Sequence, residues 1–78
     1  MKILFFAQLR EVTGLDQAEI DADGLDASSL WNLLVTVWPE LAVYRSQVRL
    51  ARNGRYAGSA EIFVSGDEVA LIPPVSGG

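Results

Sequence analysis

Residues 66–78, GDEVALIPPVSGG, are the stretch that decides the fold. Gly66-Asp67 predicts a turn, since glycine supplies backbone freedom and an aspartate side chain can accept hydrogen bonds from nearby amides. Residues 69–72 form an uncharged apolar run, which is typical of a strand buried on both faces. Pro73-Pro74 cannot donate to a strand ladder and fixes its own φ angles, so the strand must end there and continue as a stiff extended segment.

The tail after the prolines, Val75-Ser76-Gly77-Gly78, is poor in side chains. Gly77 and Gly78 carry no Cβ and can pass where another backbone or a ligand approaches closely, so a narrow channel in a partner would admit them. A terminal glycine pair is a weak signal by itself, because chain ends tolerate change. A glycine pair that follows a strand and two prolines is a more specific signal than a glycine pair alone. We therefore expect residues 73–78 to form a protruding, flexible tail whose working group is the terminal carboxylate of Gly78.

Two segments carry a resemblance to a known family. They are residues 66–69 together with the Pro-Pro-Val-Ser-Gly-Gly end, and FFAQLRE at residues 5–11. Both resemble the small sulfur-carrier subunit of molybdopterin synthase, the MoaD type of the MoaD/ThiS ubiquitin-like family. The resemblance is strong at the two ends of the chain and holds in pattern, without identity, across the middle. It implies the ubiquitin-like β-grasp fold.

Composition limits the chemistry of this chain. Its 78 residues, half of them hydrophobic, fit one small folded domain, residues 1–78, with little room for a deep catalytic cavity. It has no cysteine and no histidine, so a zinc or haem site would lack its usual ligands, and most groups for nucleophilic and general-base catalysis are missing. The sequence leaves open whether the chain is an enzyme. The composition leaves it poorly equipped to act as an enzyme alone, and the resemblance implies a carrier or co-substrate subunit that has no catalytic side chains of its own and binds no metal or cofactor.

The formal charge of −4 at pH 7 disfavours binding to nucleic acid, whose phosphates attract basic surfaces, and favours a basic partner. An apolar run opens the chain, but polar residues at positions 8, 10 and 11 interrupt it too early for a signal peptide or a membrane span. We therefore predict a cytoplasmic protein that binds neither nucleic acid nor membrane.

Before the tail, the spacing of apolar residues predicts two strands and a helix. The first strand is expected at Lys2–Leu9, a turn at Arg10–Gly14 and a returning strand at Gln17–Asp21. A helix should begin after Asp26, a good N-cap, and end at Pro39. Its predicted buried stripe consists of Leu30, Leu33, Leu34, Val37 and Trp38.

The middle of the chain is less regular. Residues 40–47 predict one irregular helical turn with Leu41 and Val43 directed inward. Residues 48–52 predict a strand, and Asn53-Gly54 predicts a tight turn into the next short strand. Most of the basic residues gather here, and although a phosphate or an acidic partner would suit them, a solvated face is favoured. These residues are Arg45, Arg49, Arg52 and Arg55.

The order of these elements predicts an α+β domain, with a mixed sheet of four to five strands and one main helix packed across one face. The β-grasp resemblance implies that the first and last strands are parallel neighbours at the sheet centre. The helix then covers their odd-numbered residues, while Leu4, Phe6, Ala70 and Ile72 project from the other face, which no second helix can cover. We infer that Phe6 and Ile72 form a patch that docks the partner subunit. The alternative is that loops close over them.

The resemblance also implies a function for the tail. In the family, an adenylyltransferase of the ubiquitin-activating type uses ATP to adenylate the C-terminal carboxylate, here that of Gly78. A sulfur donor protein then displaces AMP and leaves a thiocarboxylate, which gives its sulfur to a pyranopterin precursor and forms the molybdopterin dithiolene. ATP is consumed during activation, and no cofactor stays bound to the carrier. The residues that insert into the large subunit of molybdopterin synthase are then Pro73, Pro74, Val75, Ser76 and Gly77.

Three other functions stay open. A sulfur carrier of the thiazole pathway would share the fold, the Gly-Gly end and the thiocarboxylate, although residues 5–7 and the two prolines resemble the molybdopterin type more. A ubiquitin-like protein modifier is the second; Lys2 is the single lysine available for chain building, and no basic residues precede Gly-Gly. A β-grasp interaction module with an inert tail is the third.

Overall fold

The computed structural model describes residues 1–74. Its elements of secondary structure are, in chain order, β1 (Lys2–Phe5), α1 (Gln8–Thr13), β2 (Gln17–Glu19), β3 (Leu25–Asp26), α2 (Ala27–Val37), a 3₁₀-helix (Pro39–Tyr44), β4 (Arg49–Arg52), β5 (Arg55–Tyr56), β6 (Ile62–Phe63) and β7 (Glu68–Ile72). None of the helices in this part of the chain has the length and apolar character that crossing a bilayer requires.

Strands β1 and β7 lie side by side and parallel at the centre of the main sheet, as predicted. The five strands of this sheet follow the order β2-β1-β7-β4-β5, and β3 pairs with β6 in a separate two-stranded sheet. Lys2 is the Cα partner of Glu68 at one end of the central pair, and Phe5 is the partner of Leu71 at the other. Both outer neighbours, β2 and β4, run antiparallel to the central strands. The predicted mixed sheet with one main helix is confirmed.

Helix α2 begins where the sequence predicts. The Asp26 carboxylate accepts a 2.8 Å hydrogen bond from the Ser29 amide, and this bond lowers the pKa of the carboxyl. The predicted buried stripe is partly wrong, because Trp31 is buried whereas Val37 is 47% exposed. Apolar residues surround more than half of this helix, so spacing alone does not decide which side faces the sheet. The packed side runs through Leu30, Trp31 and Leu34.

Two helical segments differ from the sequence predictions. Helix α1 occupies the end of the strand expected at Lys2–Leu9, which is wrong beyond Phe5, and most of the turn expected at Arg10–Gly14; it buries Leu9 completely. Leu9 and Val12 are the only apolar residues in these six and both pack against the core, but two residues are too few for a periodic signal, so tertiary packing decides this conformation. In the 3₁₀-helix, Leu41 is buried as predicted, but Val43 is 73% exposed. Residues two apart on a helix with three residues per turn cannot both face inward.

The core fills the space between α2 and the face of the main sheet that α2 covers. On the two central strands, the side chains of this covered face are at most 2% exposed; they are Ile3, Phe5, Val69 and Leu71. The Phe5 ring meets Trp38 edge-on, with ring centroids 5.0 Å apart and ring planes at 78°. Trp38 is therefore part of the packing around the core, as its place in the predicted stripe indicated.

Candidate functional site

The opposite face of the main sheet is not covered by any segment within residues 1–74. We call this surface the open face and define it by Leu4, Phe6, Ala51, Tyr56, Ala70 and Ile72. With Gly54 and Glu68, these side chains line a shallow depression of about 370 Å³. The expectation that β7 is buried on both faces is wrong for its even-numbered residues, which alternate with the buried ones.

The structure brings the two predicted patch residues together. Phe5, the last residue of β1, is the Cα partner of Leu71, so Phe6, the next residue after β1, lies at the level of Ile72. Both line the depression; Phe6 is 42% exposed and Ile72 is half-buried. The predicted apolar patch therefore exists, and its binding to a partner subunit stays a prediction.

Ala7 sets the direction in which the chain leaves Phe6. Its angles, φ 50° and ψ −127°, and a 2.9 Å hydrogen bond from the Leu9 amide to the Phe6 carbonyl describe a type II′ turn. Ala7 occupies the second position of this turn, which glycine normally fills, so its backbone is strained by about 1 to 3 kcal/mol. The turn ends β1 and lets Leu9 return to the core while Phe6 stays on the open face.

Strand β7 leads directly to the predicted tail. The last pair of the β4/β7 ladder joins Arg49 to Ile72, and the strand ends before Pro73 as predicted. Pro73 is half-buried and Pro74 is exposed. The remaining predicted site residues, Val75, Ser76, Gly77 and Gly78, lie outside the described residues. The open face thus extends to the point where the tail begins.

A buried carboxylate, Asp67, anchors the start of β7. It accepts hydrogen bonds from the Val64 amide at 2.8 Å, from Arg52 Nε at 2.6 Å and from Asn53 Nδ2 at 3.0 Å. The Val64 bond, followed by those from Arg52 and Asn53, lowers the pKa of Asp67 to about 2 despite its burial. A fixed start for β7 also fixes the register that brings Ile72 to the open face.

The four arginines of the middle segment do not form one surface. Arg52 belongs to the Asp67 network and also contacts Glu61 at 2.7 Å, so the predicted solvated face is wrong for this residue. Arg45 donates to polar groups of α2. Arg49 lies over the ring of Tyr56, 4.0 Å from its centroid. Sequence reasoning missed these contacts, because local spacing does not reveal partners that lie distant in the chain.

The open face carries apolar side chains at its centre and charged side chains at its ends. Lys2 lies 4.0 Å from Glu68 at the end of the open face where β1 and β7 begin. Within residues 1–74, no group of three or more histidine, cysteine, aspartate or glutamate side chains could hold a metal ion. What this surface can do is bind the apolar surface of another molecule beside the tail.

Comparison with known proteins identifies the family. The sequence model of the ThiS family matches residues 3–78. The chain is 38% identical to the molybdopterin synthase sulfur carrier subunit of Arabidopsis thaliana, over 100% of this chain and 82% of that one. It is 42% identical to the subunit of the same name from Dictyostelium discoideum, over 99% and 94%.

A solved structure agrees with the fold. SAMP1 of Haloferax volcanii, a small archaeal modifier protein, matches with a TM-score of 0.83 and 32% identity, over 99% of this chain and 97% of that one. The predicted ubiquitin-like β-grasp fold is confirmed. The chain therefore belongs to the MoaD/ThiS family that its two ends resemble.

Proposed function

We propose that this chain is the sulfur-carrier subunit of a molybdopterin synthase. The observation that carries the proposal is the course of β7, a central strand that contributes to an apolar open face and continues at Ile72 into Pro73-Pro74 and the Gly-Gly end. The name of the Arabidopsis and Dictyostelium relatives supports the same function.

The proposed chemistry takes place at the carboxylate of Gly78. One carboxylate oxygen attacks the α-phosphorus of ATP, and pyrophosphate leaves. A donor that supplies hydrosulfide then attacks the acyl carbon through sulfur, the bond from this carbon to the AMP oxygen breaks and AMP leaves, so that one oxygen is replaced by one sulfur; two easier steps replace one difficult step. The adenylyltransferase provides the catalytic groups for activation. The product is an anionic sulfur nucleophile in a chain whose own sequence contains no cysteine.

The large subunit of the synthase docks, in this proposal, on the open face. Phe6 and Ile72 supply apolar contact next to the tail, and a buried aromatic anchor is typical of the residues that dominate binding energy. Docking there brings the tail to the substrate pocket of the large subunit, where the thiocarboxylate gives its sulfur to the pyranopterin precursor. The catalytic side chains of this second reaction belong to the large subunit.

Intact mass spectrometry tests the first half of the proposal. The chain is incubated with ATP, a ubiquitin-activating-type adenylyltransferase known to act on another carrier, and a sulfur donor. We expect one oxygen of the chain to be replaced by sulfur, and we expect a variant lacking Gly78 to fold normally and gain no sulfur. An unchanged mass of the full chain, with an enzyme that modifies its own carrier in parallel, would refute the sulfur-carrier function.

Binding to the large subunit tests the second half. We expect Phe6→Glu to abolish complex formation, because a charge on the open face would lose its hydration in the interface. Val43→Glu is the matched control, since Val43 is 73% exposed on the 3₁₀-helix and does not line the open face. Normal binding of Phe6→Glu, or equal loss in both variants, would contradict docking on the open face.

A protein modifier is the second candidate, because the chain matches the small archaeal modifier protein over nearly its full length. Both functions begin with activation of the Gly78 carboxylate, so they differ only in the molecule that reacts with the activated tail afterwards. A sulfur carrier forms molybdopterin with the large subunit and precursor, whereas a modifier forms an isopeptide bond to lysines of other proteins. A thiazole-pathway carrier would acquire sulfur but fail to bind the large synthase subunit.

A further inference from the structure

Arg49 is a charged residue of the open side of the sheet that the proposed apolar contacts do not use. It is the Cα partner of Ile72 in the antiparallel β4/β7 ladder, and directly opposed residues project from the same face. Arg49 is exposed, and its partner Ile72 is the last residue of β7 before Pro73 and the tail. The guanidinium therefore stands beside the open face where the tail leaves it.

An aromatic ring supports the Arg49 side chain. Its Cζ atom lies 4.0 Å from the ring centroid of Tyr56, which is within range of a cation–π contact. Tyr56 is the partner of Ala51 and so belongs to the same face. A guanidinium stacked on a ring keeps a rigid fork of N–H donors, and this fork matches the two oxygens of a carboxylate. The pair is thus pre-organised to receive an anion.

Arg49 is free to bind an anion from a partner, because the charged contacts in the described part of the chain do not neutralise it. The arginines at positions 10, 45 and 52 each have a polar partner within hydrogen-bond or ion-pair distance. Within residues 1–74, no carboxylate lies within 4.0 Å of the Arg49 guanidinium nitrogens. The same is true of Arg55, but Arg55 is the partner of Arg52 and projects from the other face of the sheet.

Charges are distributed unevenly along the open side of the sheet. At the start of the central strands, positive and negative groups lie together: Lys2 is the ladder partner of both Glu19 and Glu68, and the N-terminal ammonium lies 3.8 Å from the Glu19 carboxylate. Arg49 lies at the opposite end, about 13 Å away along β7 at the usual rise per residue. A partner surface that matches both ends can dock in one orientation only.

We propose that Arg49 binds a carboxylate of the large subunit of molybdopterin synthase, at the edge of the apolar surface that covers the open face. The inference rests on the proposed function and specifies the chemistry of the partner, an aspartate or glutamate next to the channel that admits the tail. The chain has a formal charge of −4, so its overall field repels acidic surfaces. An acidic residue of the partner is therefore attracted only at a local positive charge, here that of Arg49. The ion pair orients the large subunit so that the tail points into it.

Two matched variants test this inference. Arg49→Glu and Arg55→Glu make the same change of charge on opposite faces of neighbouring strands. In calorimetric titrations with the purified large subunit, we expect Arg49→Glu to raise Kd by roughly 10- to 100-fold and Arg55→Glu by less than about twofold. The loss in Arg49→Glu should shrink as salt is raised, since salt screens the repulsion between the new glutamate and the carboxylate of the partner.

Charge-reversal variants of the large subunit then identify the carboxylate that pairs with Arg49. Each surface aspartate and glutamate of the large subunit is changed to lysine, and one such change should restore binding of Arg49→Glu while it weakens binding of the unchanged carrier. Absence of any restoring exchange, or equal weakening by Arg49→Glu and Arg55→Glu, would overturn the inference. A defect of Arg49→Glu confined to adenylation, with normal binding to the large subunit, would also overturn it and assign Arg49 to the activating enzyme.

The Phe6→Glu variant separates failure of this inference from failure of the proposed function. If Phe6→Glu abolishes binding while both arginine variants behave alike, the open face is the interface and only the ion pair is wrong. If Phe6→Glu binds normally, both the proposed docking on the open face and the inference about Arg49 are wrong. The urea unfolding midpoint of each variant confirms that it is folded before its Kd is compared.

Discussion

Two adjacent phenylalanines show how differently the two faces of the main sheet are used. Phe5 is 2% exposed on the covered face, whereas Phe6 is 42% exposed on the open face. Phe5 is the last residue of β1 and Phe6 follows it directly, so the two side chains project to opposite sides of the sheet, and α2 covers only one side. The comparison teaches that alternate residues along the two central strands and their ends have different surroundings: one set is buried in the core and stabilises the fold, and the other is exposed on the face that we propose binds the partner. Substitutions should therefore alter one property without the other.

The largest effect on stability is expected for Phe5→Ala. Removing a fully buried aromatic side chain leaves a cavity against Trp38, so the free energy of unfolding should fall by about 3 to 5 kcal/mol. Urea denaturation followed by circular dichroism measures this loss. At urea concentrations at which the Phe5→Ala variant is still folded, its affinity for the large subunit should equal that of the unchanged chain. A folded Phe5→Ala variant that binds weakly would break the separation between the two faces.

The second-largest effect on stability is expected for the Asp67 hydrogen-bond network. This network fixes the register of β7 and so determines which of its residues lie on the covered face and which on the open face. The pKa of Asp67 is about 2 in the folded protein against an ordinary 3.8, so the ionised carboxylate stabilises the fold. This contribution is fully present above about pH 4 and is lost as the pH falls toward 2, and it amounts to about 2 kcal/mol. Asp67→Asn should therefore lower the free energy of unfolding by about 2 kcal/mol at pH 7.

The pH dependence provides the control for Asp67→Asn. The difference in unfolding free energy between the unchanged chain and the variant should shrink as urea titrations move from pH 7 to about pH 2. A difference that is constant across this range would mean that hydrogen-bond geometry, and not the charge of Asp67, holds the start of β7. Binding to the large subunit at pH 7 should weaken only if the register of Ile72 changes.

The Asp67 network also marks the limit of what the sequence could predict. The turn at Gly66-Asp67, the strand after it and its end at Pro73 all follow from local chemistry, and each is confirmed. The ion pair to Arg52 is formed by residues far apart in the chain, so it depends on the packed sheet. The same limit applies to Trp31 and Val37 of α2, whose burial depends on the angle at which the helix meets the sheet.

The candidate site was predictable to the same extent. Alternation along the predicted first and last strands places Phe6 and Ile72 on one face, and the prediction of one main helix leaves that face uncovered; both are confirmed within residues 1–74. The contact of Arg49 with Tyr56 requires the pairing of β4, β5 and β7 and could not be derived from spacing. The strained turn at Ala7 was also missed, because alanine gives no turn signal where glycine would.

A smaller effect on stability is expected for Phe6→Ala, the direct counterpart of Phe5→Ala. Phe6 already exposes 42% of its surface, so truncation should lower the free energy of unfolding by about 1 kcal/mol. The same urea titration measures both phenylalanine variants. Equal losses from Phe5→Ala and Phe6→Ala would mean that the open face is covered in solution, for example by self-association, and a dependence of the midpoint on protein concentration would then reveal it.

The smallest effect, and one of opposite sign, is expected for Ala7→Gly. Glycine adopts φ 50° and ψ −127° without steric cost, which removes the strain of the type II′ turn. Its greater freedom in the unfolded chain offsets part of this gain, so the free energy of unfolding should rise by about 0.5 kcal/mol. Ala42→Gly, at an exposed 3₁₀ position, is the control and should lower it. If Ala7→Gly destabilised the chain as Ala42→Gly does, Ala7 would be relaxed in solution, and the turn that keeps Phe6 on the open face would differ from the one described.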